Sequence, residues 1–293
     1  MLVNMERIVE GNYFSSVDDT GKRLHTNLTN LKKQLRNFLT YKGEQLVSID
    51  IKNSQPYLSI ALFNKEFWTP IKDGKVGALK LEKIGKEIYR EIRKEKRRYN
   101  EIITLLDSPK SQSGKGFQGS RYSYLVVSGQ MYEFLQERWL NLFGDYKYQS
   151  RQEVKKVVLK ALYHNPLHKG SKNYHDVRDF ERLFPEVARL LDTIKLGEYQ
   201  RPSHILQRVE SYLVLDVICS KVASLNENVP LFTIHDSIVT TLSYKDKVRD
   251  VMKSVLSETM GVAPILAVEL FEPKAAYEAL EEMTEFNLDD NSK

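Results

Sequence analysis

The stretch Leu46-Val47-Ser48-Ile49-Asp50-Ile51-Lys52-Asn53-Ser54-Gln55 constrains this chain more than any other. Apolar residues at 46, 47, 49 and 51 read as a short buried strand that carries one carboxylate to its end. A polar bend follows, then a mostly apolar run from Pro56 to Phe63, with Pro56 suited to the first turn of a helix. A carboxylate at the tip of a buried strand needs a hydrogen bond, an opposite charge or a metal, because an isolated buried charge is too costly. A second β-rich run, Val229 to Val239, carries Asp236 with β-branched residues on both sides. Two such aspartates, distant in sequence, are what a two-metal site needs, since each metal takes hard oxygen ligands and adjacent strands can bring the two together.

The 293 residues suffice for a sizeable core, in one large domain or two small ones. A net charge of +5 suits a polyanionic partner without demanding one. Cys219 is the only cysteine, so an intramolecular disulfide is excluded and a reducing, cytoplasmic setting is expected. Its apolar surroundings, Tyr212 to Ile218, mark it as a buried structural thiol. No segment approaches the ~20 apolar residues of a membrane span, and the polar N-terminus does not read as a signal peptide. No membrane partner is therefore expected.

In chain order, Thr20 to Leu28 reads as a turn followed by an extended basic segment. Leu28, Leu31, Leu35, Phe38 and Leu39 space as one face of a short helix, with Lys32, Lys33 and Arg36 on its polar side. That polar side is either a solvated face or a phosphate-contacting segment. Leu79 to Tyr99 reads as one highly charged helix, either salt-laced and exposed or a nucleic-acid grip. Ser108 to Ser123 reads as a flexible loop and lacks the spacing of a P-loop. An amphipathic helix is expected over Leu125 to Phe143, broken by Gly144 to Tyr148.

Ser150 and Glu153 form a capping-box pattern before the helix Arg151 to Tyr163. Arg151, Lys155, Leu159 and Tyr163 recur at four-residue spacing along one side of it, which suits a nucleoside triphosphate. Taken alone, an ordinary amphipathic helix accounts for the same positions. The polar stretch 167–178, with His168 and His175, reads as a surface loop. Helices are expected over Phe180 to Ile194 and, capped by Ser203, over Ile205 to Leu225, with Gln207 and Glu210 one turn apart. A helix over Tyr244 to Met260, a strand over Ile265 to Leu270 and a frayed acidic tail from Glu281 complete the chain.

Taken together, these segments resemble the palm and fingers of the DNA polymerase A superfamily, which includes the phage and mitochondrial single-subunit RNA polymerases. The strand ending in Asp50, with Ser54 and Gln55 after it, is similar to the first metal-binding motif. Arg151, Lys155 and Tyr163 are similar to the fingers helix, and His235-Asp236-Ser237 to the second metal-binding motif. Thr20-Gly21-Lys22-Arg23-Leu24, with Asn27, Leu28 and Arg36 beyond, resembles the segment that precedes the palm. Residues 64–124 are unmatched.

The resemblance implies an α+β fold: a polymerase palm, its antiparallel sheet backed by helices, with short helical fingers. It divides the chain into an N-terminal palm part (1–64), a basic insertion (65–124), fingers-like helices (125–198) and a C-terminal palm part (199–293). It implies catalytic roles for Asp50, Asp236, Lys155 and His235, with Mg²⁺ or Mn²⁺ held by the two aspartates. Arg151 and Lys155 would grip the triphosphate, Tyr163 and Gln55 would lie near its base and sugar, and Arg23, Arg36 and Gln207 would touch nucleic acid. The implied partners are template, primer and nucleoside triphosphates. Few residues precede Thr20, so no thumb is expected, and a protein partner supplying a thumb-like grip is implied.

Ser237 after the second Asp, the Lys155-Lys156 pair and Gln55 in place of the DNA branch's Glu favour RNA or primer synthesis. The Thr20–Leu24 segment instead resembles the DNA branch. His164 stands where the family has Gly, and Lys52 and Asn53 lengthen the link from Asp50 to Ser54. The alternatives are a family A-like DNA polymerase, a template-independent nucleotidyltransferase and a non-catalytic nucleic-acid binder. A phage or mobile element in a bacterial cell would be a natural home.

Overall fold

A computed structural model of the chain describes residues 3–71, 79–107, 121–143, 150–166, 174–225, 228–274 and 277. Most of the expected Ser108 to Ser123 loop, the Gly144 to Tyr148 break, His168 and the acidic tail lie outside these residues. Internal contacts divide the chain into two compact units. The first comprises Met1–Ile51, Glu210–Val255 and Leu266–Lys293; the second comprises Lys52–Val209 and Leu256–Ile265.

The first unit holds all seven strands of the described residues. β1 (Ser15–Val17) and β2 (Leu24–Thr26) pair as an antiparallel ribbon, with Val17 opposite Leu24. β3 (Thr40–Tyr41), β4 (Glu44–Ile51), β5 (Phe232–Ile234), β6 (Ser237–Thr241) and β7 (Leu266–Leu270) form one antiparallel sheet. Its order is β5-β6-β4-β7, and β3 pairs with the start of β4. β4 is central because it is apolar on both sides of the pleat. Val47 and Ile49 on one face are fully buried, and Leu46 on the other belongs to a core of Ile234, Val239 and Phe271. The sheet is antiparallel throughout, and most of the helices fall in the one long stretch between β4 and β5, so the fold is α+β.

Among the described residues the second unit is helical. Its core is aromatic, with Trp68, Trp139, Tyr57, Tyr122, Tyr132 and Phe180 all below 2% exposed. Tyr122 is held edge-on by Phe63 and Phe184 and shares a 2.8 Å hydrogen bond with Ser59. Burial pushes the Tyr122 hydroxyl far above the ordinary tyrosine value.

Several elements differ from the sequence expectations. Val229 to Val239 is not one strand: it folds back on itself, with Ile234 opposite Ser237, so His235 and Asp236 form a two-residue turn. The charged run from Leu79 is three helices, Leu81–Ile84, Lys86–Lys94 and Lys96–Asp107, interrupted at Gly85 and Glu95. Lys80 and Arg98 within that run are buried rather than solvated. The 125–143 helix is two, Arg121–Val127 and Met131–Phe143, because Gly129 adopts φ +71°. The helix expected over Phe180 to Ile194 breaks before Pro185, which opens Pro185–Lys195 at the first helical position.

Ser203 is not a cap, since its helix starts at Arg201. That helix continues through a π-helical stretch, Tyr212–Cys219, into Ser220–Leu225. Only Lys33–Arg36 of the 28–39 segment is helical. The expected strand end at Asp50, the helix Arg151–Tyr163 with its capping box, the helix Lys245–Met260 and strand β7 all form. Cys219 is partly buried, and desolvation pushes its thiol up to about 11.

Candidate active site

In the first unit, β4 and β6 run antiparallel with Asp50 directly opposite Ser237. Asp236, in the preceding turn, is therefore one residue off the cross-strand partner of Asp50. Asp50, near the end of β4, and Asp236, in the turn that opens β6, lie at the same end of the sheet. Asp50 shares a face with Ser48 and Leu46, and on its other side it pairs with Ala267 of β7. Both carboxylates are intermediate in exposure. Ser237 is tied down by its own hydroxyl, which donates to the Ile234 carbonyl at 2.9 Å. Asp236 is thus held in a short, hydrogen-bonded turn.

His235 occupies that turn with φ +53°, a left-handed conformation that favours glycine. Asn53 (φ +55°) and Lys22 (φ +57°) share it. Three of the four such non-glycine residues among the described ones therefore fall in the three segments singled out from sequence. Strain of this kind concentrates at functional sites. The imidazole of His235 meets that of His25 edge-on at 6.4 Å. Desolvation, then the Arg23 guanidinium, holds His235 below the ordinary histidine value, against the pull of Asp236.

The Gly21–Arg23 loop is built around Asp18. Its carboxylate accepts from the backbone N–H of Gly21 (2.6 Å) and Arg23 (3.0 Å) and lies 3.3 Å from His25 Nε2. Burial works against the charge, but these donors win and hold Asp18 below the ordinary carboxylate value. Arg23 makes a two-pronged pair with Glu210, Nε to Oε1 at 2.8 Å and Nη2 to Oε2 at 2.9 Å. Glu210 is 2% exposed, and neighbouring Ser211 donates to the Gly21 carbonyl at 2.9 Å. Arg36 is partly buried and donates to the carbonyls of Leu31 (2.9 Å) and Thr29 (3.1 Å), closing the 29–36 segment.

In the second unit, Ser150 accepts from the Glu153 N–H, and the Glu153 carboxylate returns to the Ser150 N–H at 3.1 Å, which completes the capping box. The helix Arg151–Tyr163 buries Val154, Val157, Val158, Ala161 and Leu162, which leaves Arg151 and Lys155 exposed on the opposite side. Arg151 is held from three sides: Nε to Glu133 at 3.0 Å, Nη2 to Asn53 Oδ1 at 3.0 Å, and its guanidinium over the Tyr132 ring at 4.7 Å. Desolvation pushes the Tyr132 hydroxyl up to about 12. Tyr163 donates its hydroxyl to Gln55 Oε1, in the first turn of helix Ser54–Ser59. Gln207, also in this unit, reaches Ser203 Oγ at 3.4 Å.

The sequence patterns singled out neither Asn53 nor Glu133 as partners of Arg151. The left-handed bend after Asp50 was the one available signal for Asn53. Glu133 lies in another helix, with no local pattern to mark it.

No family model and no curated protein matches this chain. A search of solved structures finds the POL domain of Pol1 from M. smegmatis in complex with DNA primer-template and dNTP, at 12% identity and a TM-score of 0.35. The alignment covers 94% of this chain and 50% of that one, so the chain spans about half the length of that structure. Among the described residues no helix is long and apolar enough to cross a membrane.

Proposed function

We propose that this chain is a divalent-metal-dependent nucleotidyltransferase that extends a nucleic-acid 3′ end on a template, with RNA or primer synthesis preferred. The reading is supported by the pairing of Asp50 with Ser237, since Asp236, in the turn before β6, is one residue away from that cross-strand partner. Two carboxylates are hard oxygen donors, which fits Mg²⁺ or Mn²⁺. Asp50 and Asp236 would hold the ions, whose chemistry is to activate the 3′-hydroxyl and neutralise the leaving pyrophosphate.

The remaining roles fall to the protein's own groups. His235, in the turn beside Asp236, helps to position the primer terminus. Arg151 and Lys155 present a guanidinium fork and an ammonium on one exposed helix side, matched to the β- and γ-phosphates. Lys155 delivers a proton to the departing pyrophosphate. Gln55, engaged by Tyr163, puts a neutral amide near the sugar, and this underlies the ribonucleotide preference.

Labelled NTPs and dNTPs, offered with a primed DNA template, with template alone and with no template, test the reading. Template-dependent incorporation with an NTP excess supports it. A dNTP excess reassigns the chain to DNA synthesis, and equal incorporation without template reassigns it to a template-independent transferase.

A further inference from the structure

His164, the residue after the helix Arg151–Tyr163, sits in a second cluster that the proposed reaction does not use. Its imidazole is 9% exposed. On one side, Nδ1 lies 3.2 Å from the Lys160 carbonyl and 3.1 Å from that of Ala161. Nδ1 is thus engaged by two backbone carbonyls and by the Lys195 ammonium at 3.1 Å, which leaves Nε2 as the ring nitrogen free to meet a ligand. Nε2 is buried and has no hydrogen-bond partner.

Two carboxylates from separate helices lie beside the imidazole. Asp192, on Pro185–Lys195, places Oδ1 4.0 Å away. Glu181, on His175–Leu183, completes a trio whose ligand atoms all lie within 4.8 Å of one another. Four ångströms is too long for a hydrogen bond but close to the spacing of two ligands on one ion. Bonds of about 2.0–2.2 Å put ligand atoms roughly 3.5 Å apart, so a contraction of about an ångström forms the site.

The surroundings suit a cation. Lys195, 2% exposed, donates to the Ala161 carbonyl at 2.9 Å and lies 3.1 Å from Nδ1, so it supplies one positive charge. Tyr174, 3% exposed, donates to Glu181 and stacks edge-on to His164 at 5.0 Å, orienting both. Val177, Phe180 and Ala188 line the remaining wall.

We infer that His164 Nε2, Glu181 and Asp192 form a site for a divalent transition-metal ion, with Zn²⁺ the best match. One imidazole and two carboxylates suit Zn²⁺ or Mn²⁺ better than Mg²⁺, which favours all-oxygen shells. The ion staples the C-terminal end of the helix Arg151–Tyr163 to the two helices that follow. None of the three residues belongs to the proposed catalytic set, so the inference stands whether or not the nucleotidyltransferase reading does.

The test uses the full chain, stripped with chelator and titrated with Zn²⁺ alone by calorimetry. A parallel titration uses an Asp50→Asn/Asp236→Asn double variant to remove any binding at those aspartates. One equivalent should bind in both, and the thermal midpoint should rise by several degrees. Glu181→Gln and Asp192→Asn should each weaken binding at least tenfold. Co²⁺ in place of Zn²⁺ should give visible absorption bands that the two variants lose. Absence of a Zn²⁺-binding equivalent and of Co²⁺ bands in the wild type overturns the inference. So does undiminished affinity in both variants when they keep wild-type circular dichroism. If a variant does not fold, the Co²⁺ spectrum of the Asp50→Asn/Asp236→Asn double variant decides: bands there support the site, and their absence overturns it.

Discussion

The Tyr163 hydroxyl donates to the Gln55 amide oxygen and so joins the last residue of one helix to the first turn of another. Tyr163→Phe removes that bond with little change in shape. It should cost about 1 kcal/mol in urea denaturation. Gln55→Glu keeps the acceptor but adds charge, strengthening the bond. Under the proposed reading it should shift the NTP-to-dNTP ratio of kcat/KM toward dNTPs by roughly tenfold, or ~1.4 kcal/mol. An unchanged ratio would separate this pair from sugar selection.

Glu210 is almost fully buried and meets Arg23 through two short hydrogen bonds. Removing one member of such a pair leaves its partner uncompensated. Glu210→Ala should therefore destabilise the protein by about 3 kcal/mol, read as a lower urea midpoint with an unchanged m-value. A loss below half a kilocalorie would mean that water replaces the carboxylate without penalty.

Asp18 gives the Gly21–Arg23 loop a signature in acid. Its folded pKa lies below the unfolded value, so its contribution is present above the unfolded pKa of about 3.9 and is lost as pH falls through the folded value. The urea midpoint should fall between pH 5 and pH 3. The fall should be shallower in Asp18→Asn, which should already be less stable at pH 7. Parallel curves for the two proteins would contradict this.

At the start of the helix Arg151–Tyr163, Ser150→Ala should cost about 1 kcal/mol. It should also raise KM for the triphosphate, because it frays the turn that carries Arg151 and leaves the buried face intact. A loss of stability with no change in KM would detach Arg151 from triphosphate binding.

Where the chain's chemistry is local, the sequence was informative. Ser150 and Glu153 mark a helix start within four residues, and the apolar positions of 46–51 mark a central strand. The His235-Asp236 turn is hard to read from sequence because it contains no glycine and both flanks are β-rich. Gly129 and Pro185 split two helices that periodicity alone joins. Asp50 and Asp236 stand out in the sequence because each is a lone carboxylate in a strand-like run. The Arg23–Glu210 pair spans 187 residues, and the His164–Glu181–Asp192 cluster draws on two helices and a cap. Only the folded chain brings such groups together.

The most direct test is primer extension on a DNA template with Mg²⁺, comparing the wild type with Asp236→Asn and Asp50→Asn, each checked for wild-type circular dichroism. The account predicts Mg²⁺-dependent extension by the wild type and a loss on the order of a thousandfold or more in either variant. Extension that survives both substitutions, or a well-folded wild type that extends no primer with any triphosphate, would contradict it.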